Sequence, residues 1–277
     1  MQRRRLTGCM RKDSFYMNMI TKIEETLSFI RKYKFDAEKY GGFKLMFSGG
    51  KDSQVLYDLM KKSGVKFTAY YCVTTNDPPE NVYFIRKEYP DVIFIHPKNT
   101  FLQLILKKGI LPTRKTRYCC RILKESAEKG FIVTGVRREE SITRRNYVPI
   151  EFNGHKTYSA EKMRKNRKVH FRPILEWRED EIWEYIEENS IPVNPCYEVR
   201  GRVGCLFCPF ASKKELLYNK KQYPLFYRNL MNTIKKGMKN GKFTMFNDPE
   251  EVWDWWVSKL SIKEYKLSKK QLSIDFN

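Results

Sequence analysis

Short apolar runs alternate along the chain with stretches in which apolar positions recur every three or four residues. Residues 14–35 show the second pattern, and the spacing of Ile20, Ile23, Leu27 and Ile30 predicts a helix with those four on one face. Gly41-Gly42 breaks the chain before FKLMF (43–47), a run short enough for a buried strand. The pattern then repeats. QVLYDLMKK (54–62) reads as a helix with Val55, Leu56 and Leu59 inward, KFTAYYCV (66–73) as a strand, and PENVYFIRKEY (79–89) as a helix. DVIFI (91–95) is a third strand, TFLQLILKK (100–108) a third helix, 118–129 helical, and FIVTGV (131–136) a fourth strand.

Strands separated by helices of about ten residues imply βαβ units and a parallel sheet, so the fold class is α/β, Rossmann-like. Ligands of such sheets sit at the carboxyl ends of the strands, which directs attention to the loops after Phe47, Val73 and Val136. Beyond the core, Asn153-Gly154 is a hairpin turn signal within an expected insertion (151–170), and KMRKNRKVHFR (162–172) is a basic loop. WREDEIWEYIEEN (177–189) reads as a structural amphipathic helix with Ile182, Trp183 and Ile186 inward. The expected organisation is a basic arm and helix (1–35), an α/β nucleotide-binding domain (36–211) and a helical extension (212–277), with no internal repeat. Five basic residues and no acid make 1–12 read as a mobile arm, and Trp253, Trp255 and Trp256 as core of the extension.

Composition narrows the classes. Of 277 residues, 41% are hydrophobic and 14% aromatic, which supplies a core and excludes wholesale disorder. No apolar run approaches the roughly 20 residues that span a bilayer, and the N-terminus lacks an apolar signal core. The expectation is a cytoplasmic protein with reduced thiols and no membrane partner. Fifty-four Lys and Arg against 32 Asp and Glu leave a net charge of +22, which attracts polyanions without choosing among them.

The chemistry concentrates in two places. SGGKDS (48–53) follows a strand and precedes a helix. Gly49 and Gly50 allow close backbone approach to an anion; the helix start offers N–H groups; Lys51 adds charge, and Ser48 and Ser53 add hydroxyls. The GxxxxGK[ST] spacing is absent, so the turn is not a Walker A loop. The second place is the pair Cys119-Cys120 together with Cys205-x-x-Cys208, four thiols suited to an iron–sulfur cluster or to zinc. Cys196, nine residues before Cys205, could replace one ligand; Cys72 reads as core. Residues 107–124 hold seven basic side chains and no acid, among them Arg114, Lys115, Arg117, Arg121 and Lys124, which would offset thiolate charge and attract an anionic substrate.

FSGGKDS resembles the PP-loop of the ATP pyrophosphatase and phosphoadenosine phosphosulfate (PAPS) reductase superfamily. RYCCRILKE (117–125), GVRREES (135–141), RPILEWREDEIWEYI (172–186) and RVGCLFCP (202–209) are similar to motifs of the same family, in the same order. The resemblance implies an adenine nucleotide on Ser48, Gly49, Gly50, Lys51, Asp52, Ser53, Arg137 and Arg144, with Lys51, Asp52 and Arg137 catalytic. It also implies a [4Fe–4S] cluster on Cys119, Cys120, Cys205 and Cys208, with zinc as the second choice. Two departures matter. The reductases' C-terminal cysteine nucleophile is missing, because no cysteine follows Cys208, and reductase loops generally lack the lysine present here as Lys51. Both favour ATP with Mg²⁺, cleaved to AMP and pyrophosphate while an acceptor is adenylated for sulfur transfer. The acceptor would be nucleic acid, DNA or tRNA, and a sulfur donor would complete the reaction. The PP-loop ATP sulfurylase subunit shares SGGKDS but lacks the cysteine set, so it ranks lower. The alternatives are a PAPS or adenylyl-sulfate reductase using a thioredoxin-like reductant, and a non-catalytic nucleotide- or DNA-binding module.

Overall fold

The structure is a computed structural model. It describes the backbone of residues 3–125, 130–152 and 168–274, and the side chains of 17–125, 130–152 and 168–271. By packing, the chain forms two compact units. A sheet unit comprises Met1–Cys72, Glu80–Ile95 and Glu128–Val203; a helical unit comprises Val73–Pro79, His96–Ala127 and Gly204–Asn277. Residues 73–79, 96–127 and 204–211, all within the expected 36–211 domain, group with the C-terminal helices, and the expected 1–35 segment groups with the sheet.

The sheet unit holds all six described strands, β1 (Phe43–Met46), β2 (Phe67–Cys72), β3 (Ile93–Ile95), β4 (Gly130–Val133), β5 (Ile150–Phe152) and β6 (Lys168–Phe171), in the order β3-β2-β1-β4-β6-β5. Every pairing is parallel except β5 on β6, which is antiparallel. Phe152 lies opposite Val169 on β6; the Asn153-Gly154 turn and most of the basic loop fall outside the described residues. The chain leaves β1 in one direction for β2 and β3, then crosses to the other side of β1 for β4. That reversal opens a crevice beyond the carboxyl ends of β1 and β4.

Helix α1 (Arg3–Lys32) is longer than expected, since residues 3–12 are helical backbone. Apart from Gly8 nothing there opposes a helix, and Arg, Leu, Met and Lys favour one. Its buried face is Met19, Thr26, Leu27 and Ile30, while Ile20 is exposed. A short α2 (Lys34–Glu38) follows. Phe29 from α1 stacks on Phe171 at 5.0 Å, and Phe43 meets Phe131 edge to face at 5.2 Å, so rings from helix and strands seal one face. Helix α3 (Lys51–Lys62) buries Val55, Leu56 and Leu59, and α4 (Pro79–Glu88) buries Phe84 and Ile85.

The helical unit contains α5 (Phe101–Lys108) and α6 (Tyr118–Leu123). In the sheet unit, α7 (Glu179–Glu188) packs on α3 and buries Ile182, Tyr185 and Ile186 with Trp183 only half-buried, and α8 (Cys196–Arg200) follows it. Back in the helical unit are α9 (Lys213–Gln222), α10 (Pro224–Lys239), α11 (Pro249–Ser258) and α12 (Ile262–Ile274). Trp253, Trp255 and Trp256 are buried, as their helical spacing implied, and the Trp256 indole donates to the Pro112 carbonyl at 2.6 Å.

Candidate functional site

In the sheet unit, the turn after β1 ends three residues earlier than the motif suggests. Helix α3 begins at Lys51, with Gly50 as its extended N-terminal flank, so Lys51, Asp52 and Ser53 form its first turn. Gly49 adopts φ +78°, where only glycine is unstrained. Ser53 Oγ donates to the Gly50 carbonyl at 2.8 Å and accepts the Ser48 N–H at 3.2 Å; Ser48 Oγ accepts the Gly50 N–H at 3.3 Å. The Lys51 N–H donates to the Tyr197 hydroxyl at 2.9 Å. Hydroxyl oxygens thus cap N–H groups that the sequence offers to an anion.

Two buried asparagines hold the turn from below. Asn194 Nδ2 donates to the Gly49 carbonyl at 2.8 Å and to Asn81 Oδ1 at 2.7 Å, and Asn81 Nδ2 donates to the Ser48 carbonyl at 3.2 Å. Fixing the carbonyls on one side leaves the N–H groups facing the other. A Cβ on Gly135 would lie 2.9 Å from the Asp52 carbonyl, so glycine there lets the segment after β4 close on the first turn of α3.

That closure delivers Arg137. Its side chain is 1% exposed: Nε donates to Asp52 Oδ1 at 2.5 Å, Nη1 to Glu139 at 2.9 Å, and Nη2 to Glu179. Lys51 Nζ lies 3.2 Å from Asp52 Oδ2 and 3.3 Å from Glu179 Oε1. Two cations and three carboxylates therefore share one network with a net charge of −1. Burial would lower the Arg137 pKa, but Asp52 and Glu179 raise it above the ordinary value. Burial would raise Glu179, but Lys51 and Arg137 pull it below the usual carboxylate range. Arg144 pairs with Glu140, whose carboxylate also accepts the Arg137 N–H at 3.0 Å.

Five contributors escaped the sequence reading: Asn81, Asn194, Tyr197, Glu139 and Glu179. Glu179 lies in the first turn of α7, which reads as structural. The available signals were GVRREES, where acids follow the arginine, and the acidic start of WREDE.

In the helical unit, Cys119, Cys120, Cys205 and Cys208 line one pocket with Thr74, Asn76, Phe101, Leu123, Lys124, Phe207 and Pro209. The predicted set of four is brought together. Cys196 lies in the sheet unit, where burial pushes its thiol up to about 11, and it is not among the pocket's lining residues. Asn76 shapes the CxxC turn: its Nδ2 donates to the Phe207 carbonyl at 3.0 Å, its Oδ1 accepts the Phe207 N–H at 3.1 Å, and its carbonyl accepts the Leu206 N–H at 2.7 Å. Hydrogen bonding from Cys119, aided by Lys124 and Arg117, draws Cys120 down to about 6 against the opposing effect of burial. The bond to Cys120, with burial, holds Cys119 protonated. Burial also raises Cys205, while Lys124 opposes it. Lys124 is itself raised, first by Cys205. Among the described residues no three His, Cys, Asp or Glu side chains converge on a point that would hold a single metal ion.

A nucleotide-type turn at the switch point of an α/β sheet defines the class: a PP-loop protein. The family follows from comparison, since the model for the phosphoadenosine phosphosulfate reductase domain matches residues 43–211, and the chain belongs to that family. An uncharacterized protein of Methanocaldococcus jannaschii is 29% identical over 266 residues, covering 89% of this chain and 60% of that protein; the chain thus spans less than two thirds of this relative's length. An adenosine 5'-phosphosulfate reductase of Mycolicibacterium smegmatis is 30% identical over 189 residues, covering 62% of this chain and 73% of the reductase. Among solved structures, PAPS reductase from Candida auris aligns at 16% identity with a TM-score of 0.43, covering 60% of this chain and 82% of that one. Among the described residues, no helix is long and apolar enough to cross a membrane.

Proposed function

We propose that the protein binds Mg²⁺-ATP at the turn after β1 and cleaves it between the α and β phosphates, adenylating an acceptor for sulfur transfer. The observation that carries this reading is the carboxylate excess around Lys51 and Arg137. Three carboxylates against two cations repel a bare sulfonucleotide, whereas a nucleotide arriving with a divalent cation brings the missing positive charge. The residues fit such an ion. Mg²⁺ is held by one or two carboxylates plus substrate phosphates, so no three-residue cage is required. Asp52 and Glu179 would hold it, and it would supply charge to stabilise the leaving pyrophosphate. Lys51 and Arg137, released from part of their network, would then grip phosphate oxygens, and the Tyr197 hydroxyl would yield the Lys51 N–H to one of them.

An acceptor oxygen attacks the α-phosphorus, the bond from that phosphorus to the bridging oxygen breaks, and pyrophosphate leaves. The acceptor's proton passes to solvent or a carboxylate. A sulfur nucleophile then displaces AMP. The acceptor in this reading is nucleic acid, consistent with the +22 charge.

The four thiols line one pocket of the helical unit and would hold a [4Fe–4S] cluster, in which each cysteine ligates a different iron, with zinc as the second choice. A bound cluster would supply redox or sulfur-carrying chemistry.

A second reading, reduction of adenylyl sulfate or PAPS with a thioredoxin-like reductant, is favoured by Cys120. Cys120, drawn down by its bond to Cys119 and by Lys124 and Arg117, would be the attacking thiol in that reading. Calorimetry on anaerobically purified protein separates the two. Tight binding of Mg²⁺-ATP that is lost in Lys51→Ala, with AMP and pyrophosphate as products, is expected. Preference for a sulfonucleotide, with an S-sulfonated cysteine trapped at Cys120, would replace the first reading with the second.

A further inference from the structure

The positive charge is not spread evenly. The helical unit, the smaller of the two, carries 22 Lys and Arg against 9 Asp and Glu, a net of +13 of the chain's +22. Part of that excess is organised at the cysteine pocket. Thr113 and Thr116 close a tight turn, with the Thr113 N–H to the Thr116 carbonyl at 3.4 Å and the Thr116 N–H to Thr113 Oγ1 at 3.0 Å. The turn lifts Arg114 and Lys115 into solvent. Arg117, also exposed, precedes α6, which carries Cys119 and Cys120. Its guanidinium lies over the Phe210 ring at 5.7 Å from the centroid. Phe210 follows the pocket residues Cys208 and Pro209 and is 45% exposed. Arg121 is exposed one turn further along the chain. None of these four basic side chains makes an ion pair among the described residues, although Glu264 lies within electrostatic reach of Lys115.

Unpaired cations bordering an exposed aromatic ring match the chemistry of one ligand. Guanidinium and ammonium groups track phosphodiesters, and an exposed ring stacks on a base whose face is free, which a duplex does not offer. We propose that Arg114, Lys115, Arg117, Arg121 and Phe210 form a docking surface for a single-stranded polynucleotide, with an unpaired base stacked on Phe210 at the mouth of the cysteine pocket. This deepens the nucleic-acid acceptor of the proposed function, yet it is tested without nucleotide, so failure of ATP cleavage would leave it standing.

The test is fluorescence anisotropy of labelled single-stranded RNA, single-stranded DNA and duplex DNA across a salt series. Single strands of either sugar should bind more tightly than duplex, with log affinity falling linearly in log salt by about 0.7 per neutralised phosphate. The triple variant Arg114→Ala/Lys115→Ala/Arg117→Ala should reduce that slope by about 2 and weaken binding at least about tenfold at moderate salt. Phe210→Ala should weaken single-strand binding roughly tenfold while leaving the slope unchanged. As a control, Lys235→Ala/Lys236→Ala/Lys239→Ala on α10 removes the same charge elsewhere in the unit and should cost much less. Equal loss in the control, tighter binding to duplex, an unaffected Phe210→Ala, or no affinity for any polynucleotide would each overturn the proposal. All altered side chains are exposed or half-exposed, and circular dichroism of each variant checks that the fold is kept.

Discussion

Replacing Arg137 by Met would remove the central cation of the carboxylate network while keeping a side chain of similar length. At 1% exposure the guanidinium is held by Asp52, Glu139 and Glu179 and, at 3.4 Å, by the Trp177 carbonyl. Removing one partner of a buried ionic network typically costs about 3–5 kcal/mol, because the remaining charges are stranded. Here the Glu139 and Glu179 side chains are half exposed, at 53% and 51%, so water recovers part of their solvation. Asp52, at 17%, is the one left most vulnerable to the loss. Discounting for screening, the expected destabilisation at pH 7 is about 2–4 kcal/mol. Urea unfolding of wild type and Arg137→Met across pH measures it. The sign follows from Glu179, whose folded pKa is depressed. Its contribution is present above the ordinary glutamate value and is lost as pH falls through the folded value. The Arg137→Met substitution would abolish part of that depression. The gap between the two proteins should therefore be widest at neutral pH and narrow as pH falls below about 4.5. A neutral-pH gap under about 1 kcal/mol, or one that widens on acidification, would refute the view that the network is held together by Arg137.

Gly49→Ala should cost about 2–4 kcal/mol by urea unfolding, since it adds left-handed strain at φ +78° and drives a Cβ into Asn81 Oδ1 and, at 2.9 Å, Ile85 Cδ1; a loss under about 1 kcal/mol would mean that the turn is slack. His170 is pushed down to about 4, first by burial and then by Lys168 and Arg172. The unfolded chain thus binds a proton from pH 6.5 downward that the folded chain refuses until about pH 4, so stability should fall between those values by at most about 3 kcal/mol. His170→Gln should flatten that slope, and an unchanged slope would assign it elsewhere. Under anaerobic reconstitution, Cys119→Ser, Cys120→Ser, Cys205→Ser and Cys208→Ser should each lower iron and sulfide content while Cys196→Ser leaves both unchanged; a loss confined to Cys196→Ser would place the ligands wrongly.

The parallel strands were legible as short apolar runs: β1, β2 and β3 fall within one or two residues of FKLMF, KFTAYYCV and DVIFI, while β4 ends three residues before the end of FIVTGV. The turn after β1 was legible because its chemistry is local: two glycines, two serines and a helix start within six residues. Its partners were not. Tyr197 reaches the Lys51 N–H from 146 positions along the chain, and Asn194 reaches the Gly49 carbonyl from 145, and no periodicity announces either. Glu179 was concealed by a correct local reading. The start of WREDE does begin an amphipathic helix, and acids in a first turn are ordinary complements of the helix dipole. Only the fold reveals that one of them faces Lys51. Arg137 was expected as a nucleotide-contacting and catalytic residue, without its carboxylate partners. Its three carboxylate partners change what the site asks of a substrate, because phosphate must displace a carboxylate or arrive with a cation that satisfies it. The division into units was hidden for the opposite reason. Segments 73–79 and 96–127 leave the sheet's run of βαβ units to pack with helices that begin more than seventy residues later, and a linear reading assigns each stretch to its neighbours in sequence. The cysteines show the consequence. CC and CxxC were grouped by residue type and spacing, while the physical link between them is that both segments belong to the helical unit and share one apolar core with Trp253 and Trp256.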